Sequence, residues 1–394
     1  MVGLVVTKPA GTAGAYDIAV VGGGLAALFV ADALADHARV VVCTGGKSPK
    51  PASSRSLGIV AQGGQDSPAR LALALGEAAA SAYWRWSGAA VALLLERADA
   101  LGLAAQRSGS WRVSMGAEEW GEWQSSAELI RRWTEDAGSV LSISGQELVS
   151  RDVGQGFEGA VYVPTDGVVD PQALLGSLES GLQGRASVLA TRVAVGDALA
   201  DGTKRLHMET GETLECQLVV VAAGWGSAAV HPWFRDMLYP VRLQGLRTGT
   251  LSERRLEAPV LARHRFESWL QEPSGQLGFV GCRWAEQPEM EAGVTDDTVI
   301  SQEVDARQRG FLAQHLPGVL DCGVVDQWTG IASVSCDGLP LVGPIPGDPR
   351  ILALCGWGGW GLSLLAQAAM DVTSMALGRD DPETPSFLTP RRML

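Results

Sequence analysis

The twelve residues Asp17-Ile-Ala-Val-Val-Gly22-Gly23-Gly24-Leu25-Ala26-Ala27-Leu28 set three glycines between an apolar run and a stretch with helical apolar spacing. Glycines at such a junction permit a tight turn and let backbone approach a pyrophosphate. The helix that follows aims unpaired N–H groups and its positive end at the phosphates. Ala27 stands where the usual Gly-x-Gly-x-x-Gly pattern has its third glycine, so context carries the reading. That context is Ala38-Arg-Val-Val-Val42, a second strand at the distance one βαβ unit requires. Strand, glycine loop and helix recur at Ile351–Cys355, Gly356-Trp-Gly-Gly-Trp-Gly361 and a small-residue stretch to about residue 377. A further apolar run ends in Ala222-Ala223-Gly224.

Other chemistries find little support. Cys43, Cys216, Cys282, Cys322, Cys336 and Cys355 form no Cys-x-x-Cys pair and have no histidine at ligand spacing, which argues against zinc and against a disulfide framework. There is no Gly-x-Ser-x-Gly elbow and no His-Glu-x-x-His helix. No metal site is expected. A net charge of −13 offers no basic excess for nucleic acid or an anionic membrane. No apolar run approaches the roughly 18–20 residues that span a bilayer, and the first fifteen residues do not read as a leader, so the expected location is cytoplasmic.

The elements around these motifs follow from composition. At 394 residues the chain is expected to form two domains. Residues 44–65, dense in Gly, Ser and Pro, read as a loop able to wrap a ligand. Residues 68–106 read as two helices on either side of Ser87-Gly88. The alternation from Ser110 to Glu122, with Trp111, Trp120 and Trp123 nearby, suggests short strands. Residues 126–137 and 171–183 read as amphipathic helices, the latter after Asp170-Pro171. The runs 186–195, 206–209 and 213–222 resemble an antiparallel crossover returning to a central sheet. Leu238–Thr248, Val260–Trp269 and Leu277–Arg283 read as three further strands, with a helix at about 298–315.

Three separated stretches together resemble the D-amino-acid oxidase family of FAD-dependent oxidoreductases, which includes glycine oxidase, sarcosine oxidase and related amine oxidases. They are Asp17–Leu28, the block Thr165-Asp-Gly-Val-Val-Asp-Pro171, and the C-terminal Trp328-x-Gly330, Asp337-Gly-Leu-Pro-Leu-Val-Gly343 and Gly356–Gly361. The resemblance implies an α/β chain: a Rossmann-like FAD-binding domain from 16–82, 150–231 and 327–378, and an α+β substrate domain with a discontinuous antiparallel sheet from 83–149 and 232–326. It implies non-covalent FAD contacted by Gly22, Gly24, Leu25, Ala26, Thr44, Ser56, Ala223, Gly224, Gly330, Gly356, Gly358, Gly359, Trp360, Gly361 and Leu362. The last glycine loop would lie at the pyrimidine edge of the flavin, where N–H groups of Gly359, Trp360 and Gly361 would stabilise negative charge. Cys336 and Cys355 do not stand at the family's covalent-attachment spacing.

Two positions depart from the family. Thr44 replaces the acidic residue that usually meets the adenosine ribose, and residues 56–64 look more like aspartate oxidase and succinate dehydrogenase flavoproteins. Ala332 replaces the arginine that grips a substrate carboxylate in amino-acid oxidases. Arg283 is the first candidate to compensate, with an ordinary solvated strand-end charge as the alternative. Trp269, Trp284 and Trp357, with Trp360, are candidates for an aromatic wall near the substrate, with core packing as the competitor. Trp360, Gly361 and Arg283 are the expected catalytic group. The expected reaction is oxidation of a C–N bond of an amine or amino acid by hydride transfer to flavin N5, giving an imine that hydrolyses. Oxygen or another acceptor takes the electrons, and oligomerisation is left open. The alternatives are a desaturase of a carboxylate resembling aspartate oxidase, for which His231 and His264 offer little, and a flavin-bearing subunit of a larger complex.

Overall fold

The computed structural model describes residues 15–46, 51–151, 153–253, 256–264, 266–283, 290–379 and 384–394. Its contacts group into two compact units, one of residues 1–54, 171–240 and 332–394, the other of 55–170 and 241–331.

In the first unit, strands lie in the order Leu341–Ile345, Asp348–Cys355, Thr213–Val221, Ala15–Val21, Val40–Cys43 and Ser187–Leu189. The four pairings from Asp348–Cys355 through Ser187–Leu189 are parallel, with Ile18 opposite both Leu218 and Val40, and Val219 opposite Ile351. Both faces of such a sheet are covered, so its strands are continuously apolar: Val40–Cys43 is buried throughout. Val193–Ala198 and Lys204–Met208 add an antiparallel meander onto Thr213–Val221. Helix Leu25–Ala35 packs against helices Gly361–Ala376 and Pro171–Gly181. The glycine turn at 22–24 therefore lies at the carboxyl end of a central parallel strand, where open α/β sheets bind ligands.

The second unit holds a sheet ordered Val324–Ser335, Leu238–Thr250, Gln276–Val280, Glu267–Gln271, Val260–Ala262, Ser110–Ser114, Gly159–Val163 and Leu141–Ser144. Its pairings between 276–280 and 267–271 and between 110–114 and 159–163 are antiparallel, whereas 260–262 runs parallel to 110–114. Helix Gln302–His315 contributes Phe311 and Leu312 to a core with Trp269, Phe279 and Phe157. Residues 55–82 and 150–170 group by packing with this sheet. One cause is the two-stranded pairing of Ile59–Val60 with Gly167–Val168, and another is the contact of Pro68–Leu75 with the helices that follow it.

Three local expectations are corrected. The break between helices falls at Gly76, whose φ of 87° suits glycine, and helix Glu77–Ala100 runs straight through Ser87-Gly88. There the absent side chain serves packing: a Cβ on Gly88 would stand 2.6 Å from Gln62 Nε2. Trp120 and Trp123 lie on helix Ala117–Thr134, not on strands; only Ser110–Ser114 is extended. The run Val260–Trp269 is two strands, interrupted by Arg263 and His264 at φ of 45° and 52°.

Candidate cofactor site

Gly22 carries a φ of 146°, and a Cβ there would lie 2.4 Å from the Ala222 carbonyl oxygen. The ends of strands Ala15–Val21 and Thr213–Val221 thus meet backbone to backbone, joined by Ala222 N–H donating to Val21 O at 2.8 Å. A Cβ on Gly23 would stand 2.9 Å from Thr44 O. Helix Leu25–Ala35 begins with Gly24 as its cap and has no side-chain cap. The Leu25 N–H donates to Ser53 Oγ at 3.2 Å, while the N–H groups of Gly23, Gly24 and Ala26 have no protein acceptor among the described residues. These donors, at the positive end of an eleven-residue helix, make a cradle for a phosphate group. Ser53 was not anticipated; its only sequence signal is a serine-rich loop within reach of the glycine turn.

Thr44 follows the second parallel strand. Its N–H donates to Leu189 O at 3.0 Å and its hydroxyl lies 3.5 Å from the same oxygen, so its position is fixed beside Gly23. Ala223 and Gly224 follow strand Thr213–Val221, with Gly224 at a φ of 60° and Ala223 O accepting from Gly226 N–H at 3.1 Å.

At the second glycine loop, Gly356, Gly358 and Gly359 all have positive φ, 77°, 59° and 99°, a path that side chains with a Cβ rarely follow. The Gly358 N–H donates to Ser333 O at 2.8 Å and the Trp360 N–H to Trp357 O at 2.9 Å. The expected donor at Trp360 is therefore engaged within its own turn. The N–H groups of Gly359, Gly361 and Leu362 have no protein acceptor among the described residues, and they stand at the start of the sixteen-residue helix Gly361–Ala376. Trp357 and Trp360 are half-buried. Cys355, just before the loop, is fully buried, and burial pushes its thiol up to about 12, which keeps it protonated and unreactive. Gly22, Gly24, Leu25, Ala26, Thr44, Ala223, Gly224, Gly356 and Gly358 to Leu362 all belong to the first unit.

Of the remaining candidates, His231 belongs to the first unit and the others lie in the second unit or outside the described residues. Ser56 Oγ accepts from Gly58 N–H at 3.1 Å. Gly330 faces Arg55: a Cβ there would lie 3.5 Å from Arg55 Cδ. Trp269 is fully buried, 6.1 Å from Phe157 and 6.2 Å from Phe279 between ring centres, and is a core residue rather than a wall that a substrate meets. Arg283 is half-buried over the Phe266 ring at 5.8 Å, with Nη1 3.5 Å from Met290 O. Trp284 lies outside the described residues. His231 Nδ1 accepts from Trp233 N–H at 3.3 Å, and burial lowers its pKa. His264 lies 3.1 Å from Arg70 and 3.5 Å from Glu122.

The block 165–171 has a clear role in the second unit. Asp166, fully buried, accepts from Gln62 N–H at 2.8 Å and Ser110 Oγ at 2.6 Å and pairs with Arg112 at 2.8 Å. Arg112 also donates to Gln62 O at 3.0 Å. One carboxylate thereby ties the loop at 62 to the sheet, and its charge is paired as burial demands.

Among known proteins, the model of the family described as FAD dependent oxidoreductase (DAO) matches residues 17–375. A glycine oxidase of Pseudomonas aeruginosa is 25% identical over 242 residues, covering 60% of this chain. The chain spans 64% of the length of that protein. The structure of glycine oxidase from Geobacillus kaustophilus superposes with a TM-score of 0.80 at 21% identity, covering 97% of this chain and 100% of that one. L-proline dehydrogenase from P. horikoshii gives 0.77 at 17%, covering 96% and 97%. At these identities the structural likeness shows the fold.

Proposed function

From the premise that the chain belongs to the FAD dependent oxidoreductase (DAO) family, we propose that it oxidises a C–N bond of an amine or amino acid, releasing an imine that hydrolyses in water. The observation that carries this reading is the loop Gly356–Gly361, which ends in unpaired N–H groups at a helix start. FAD, when bound, supplies the two-electron acceptor. The glycine turn at 22–24, Ala26, Thr44, Ala223 and Gly224 hold its ADP end, and Ser53 buttresses the first helical turn. Gly359, Gly361 and Leu362 point fixed donors at negative charge, which a preorganised site stabilises without reorganisation. Trp357 and Trp360 flank that loop and restrict water. No covalent bond to Cys355 is part of this reading, since that thiol is fully buried.

Oxygen or another acceptor restores the enzyme for the next turnover. The substrate is a small amine or amino acid, as it is by name for glycine oxidase and L-proline dehydrogenase. The test is product analysis: holoenzyme incubated with single amines and with D- and L-amino acids should form the matching aldehyde, ketone or 2-oxo acid. Formation of an unsaturated product with nitrogen retained, or of none from any of them, would contradict the proposal.

A further inference from the structure

We propose that His264 is a proton-operated latch within the second unit: its neutral ring accepts a hydrogen bond from Arg70 and holds helix Pro68–Leu75, and its protonated ring lets that helix go. Arg70 Nη2 lies 3.1 Å from His264 Nε2. A guanidinium only donates, so Nε2 is the acceptor and the single proton of the neutral ring stands on Nδ1. Nδ1 faces Glu122 Oε1 at 3.5 Å. Both of those atoms are buried, and neither has a hydrogen-bond partner among the described residues. A second proton, taken from water onto Nε2, turns the acceptor into a donor. The contact with Arg70 then sets donor against donor and cation against cation, while the pair with Glu122 gains a full charge.

The ring stands where three elements meet. Arg263 and His264 form the turn between two strands and both have left-handed φ, 45° and 52°, a costly conformation for residues other than glycine. Glu119, on helix Ala117–Thr134, fixes that turn by accepting from the His264 N–H at 3.0 Å, and Arg263 is turned to Glu267 at 2.7 Å. Of the charged groups around the imidazole, Arg70 opposes a further positive charge, whereas Asp66, Glu119 and Glu122 favour it. Arg70 also pairs with Glu122 Oε2 at 2.7 Å, so loss of His264 leaves it with that carboxylate. The helix it belongs to is lightly held. Pro68 and Leu71 are its buried residues, and Leu73 is 91% exposed. An element with few buried apolar contacts opens locally at small cost, so the bond from Arg70 to His264 is a sizeable share of what fixes it.

The experiment uses holoenzyme labelled with nitrogen-15 in its histidine rings. The NMR signals of His264, identified by their loss in His264→Gln or their shift in Arg70→Met, report which nitrogen carries the proton. In the wild type the neutral ring should carry it on Nδ1, and Arg70→Met should move it toward Nε2. Hydrogen exchange of residues 69–75, corrected for the intrinsic pH dependence of amide exchange, is compared at the two ends of the His264 titration that the same spectra follow. Protection should fall about two- to fivefold when the ring is protonated, the scale of a solvent-exposed polar pair. In His264→Gln, whose Oε1 accepts from Arg70 and does not titrate, protection should stay the same at both ends. If that variant does not fold, Arg70→Met decides: its helix should be as poorly protected with the neutral ring as with the protonated one. A neutral ring protonated on Nε2 in the wild type, protection indifferent to the state of the ring, or the same fall in either variant would overturn the proposal.

Discussion

Gly22 acts through what it lacks. Its carbonyl-facing side has 2.4 Å of clearance where a Cβ would need a van der Waals contact, and the obstacle is backbone of the adjoining strand, which cannot swing aside. Gly22→Ala should therefore purify with much less flavin than the wild type, read as absorbance of cofactor released on denaturation; full occupancy would contradict the cradle. Trp269 has a different fate. Its truncation to Ala should lower unfolding free energy by about 3–5 kcal/mol in urea titration while leaving the relative KM values of different substrates alone. The glycine turn was legible because its function lies in three neighbouring residues. Ser53 was not, because its partner Leu25 stands 28 positions away. For Trp269 the sequence leaves wall and core as alternatives, because strand periodicity says that a side chain is buried, not whether a substrate or a phenylalanine covers it; the structure places it in the core.

Among the elements, helix Glu77–Ala100 shows where local signals stop. Ser87 and Gly88 look like a break, yet Ser87 Oγ accepts from Gly63 N–H at 2.9 Å and donates to Trp84 O at 2.9 Å, and Gln62 fills the space over Gly88. Small residues there admit a loop, and that contact offsets the low helix propensity of glycine. The same loop is held by Asp166, so Asp166→Ala, which leaves Arg112 buried and unpaired, should cost about 3–5 kcal/mol. Urea unfolding of the variant measures this, and a loss below 1 kcal/mol, about the worth of an exposed pair, would refute it. The tryptophans at 120 and 123 were expected on strands since aromatic residues favour extended chain; the acidic first turn at Glu118 and Glu119 and the basic last turn at Arg131 and Arg132 favour the helix that forms. By contrast, helices 25–35 and 361–376 and the parallel strands they follow were readable from an apolar run ending in a glycine loop, and helix 171–181 from Asp170-Pro171 and the amphipathic spacing after it.

At the scale of the molecule, the chain combines a mostly parallel sheet bearing two glycine loops with a largely antiparallel sheet in a second unit. None of the described helices is long and apolar enough to cross a membrane. Binding of FAD to the folded state alone should raise stability by about 2.7 kcal/mol when free cofactor is a hundredfold above its Kd, so removal of flavin should lower the melting temperature and added FAD should restore it. Equal melting of both forms would show that the cofactor does not bind the folded chain. The central claim, that this flavoprotein takes electrons from a C–N bond, meets its most direct test in anaerobic spectroscopy. Holoenzyme mixed without oxygen with amines and with D- and L-amino acids should lose the visible absorbance of oxidised flavin with at least one of them, and regain it on admission of an acceptor. Retention of full colour across the whole series, by a protein shown to hold its flavin and to bleach with dithionite, would contradict the account.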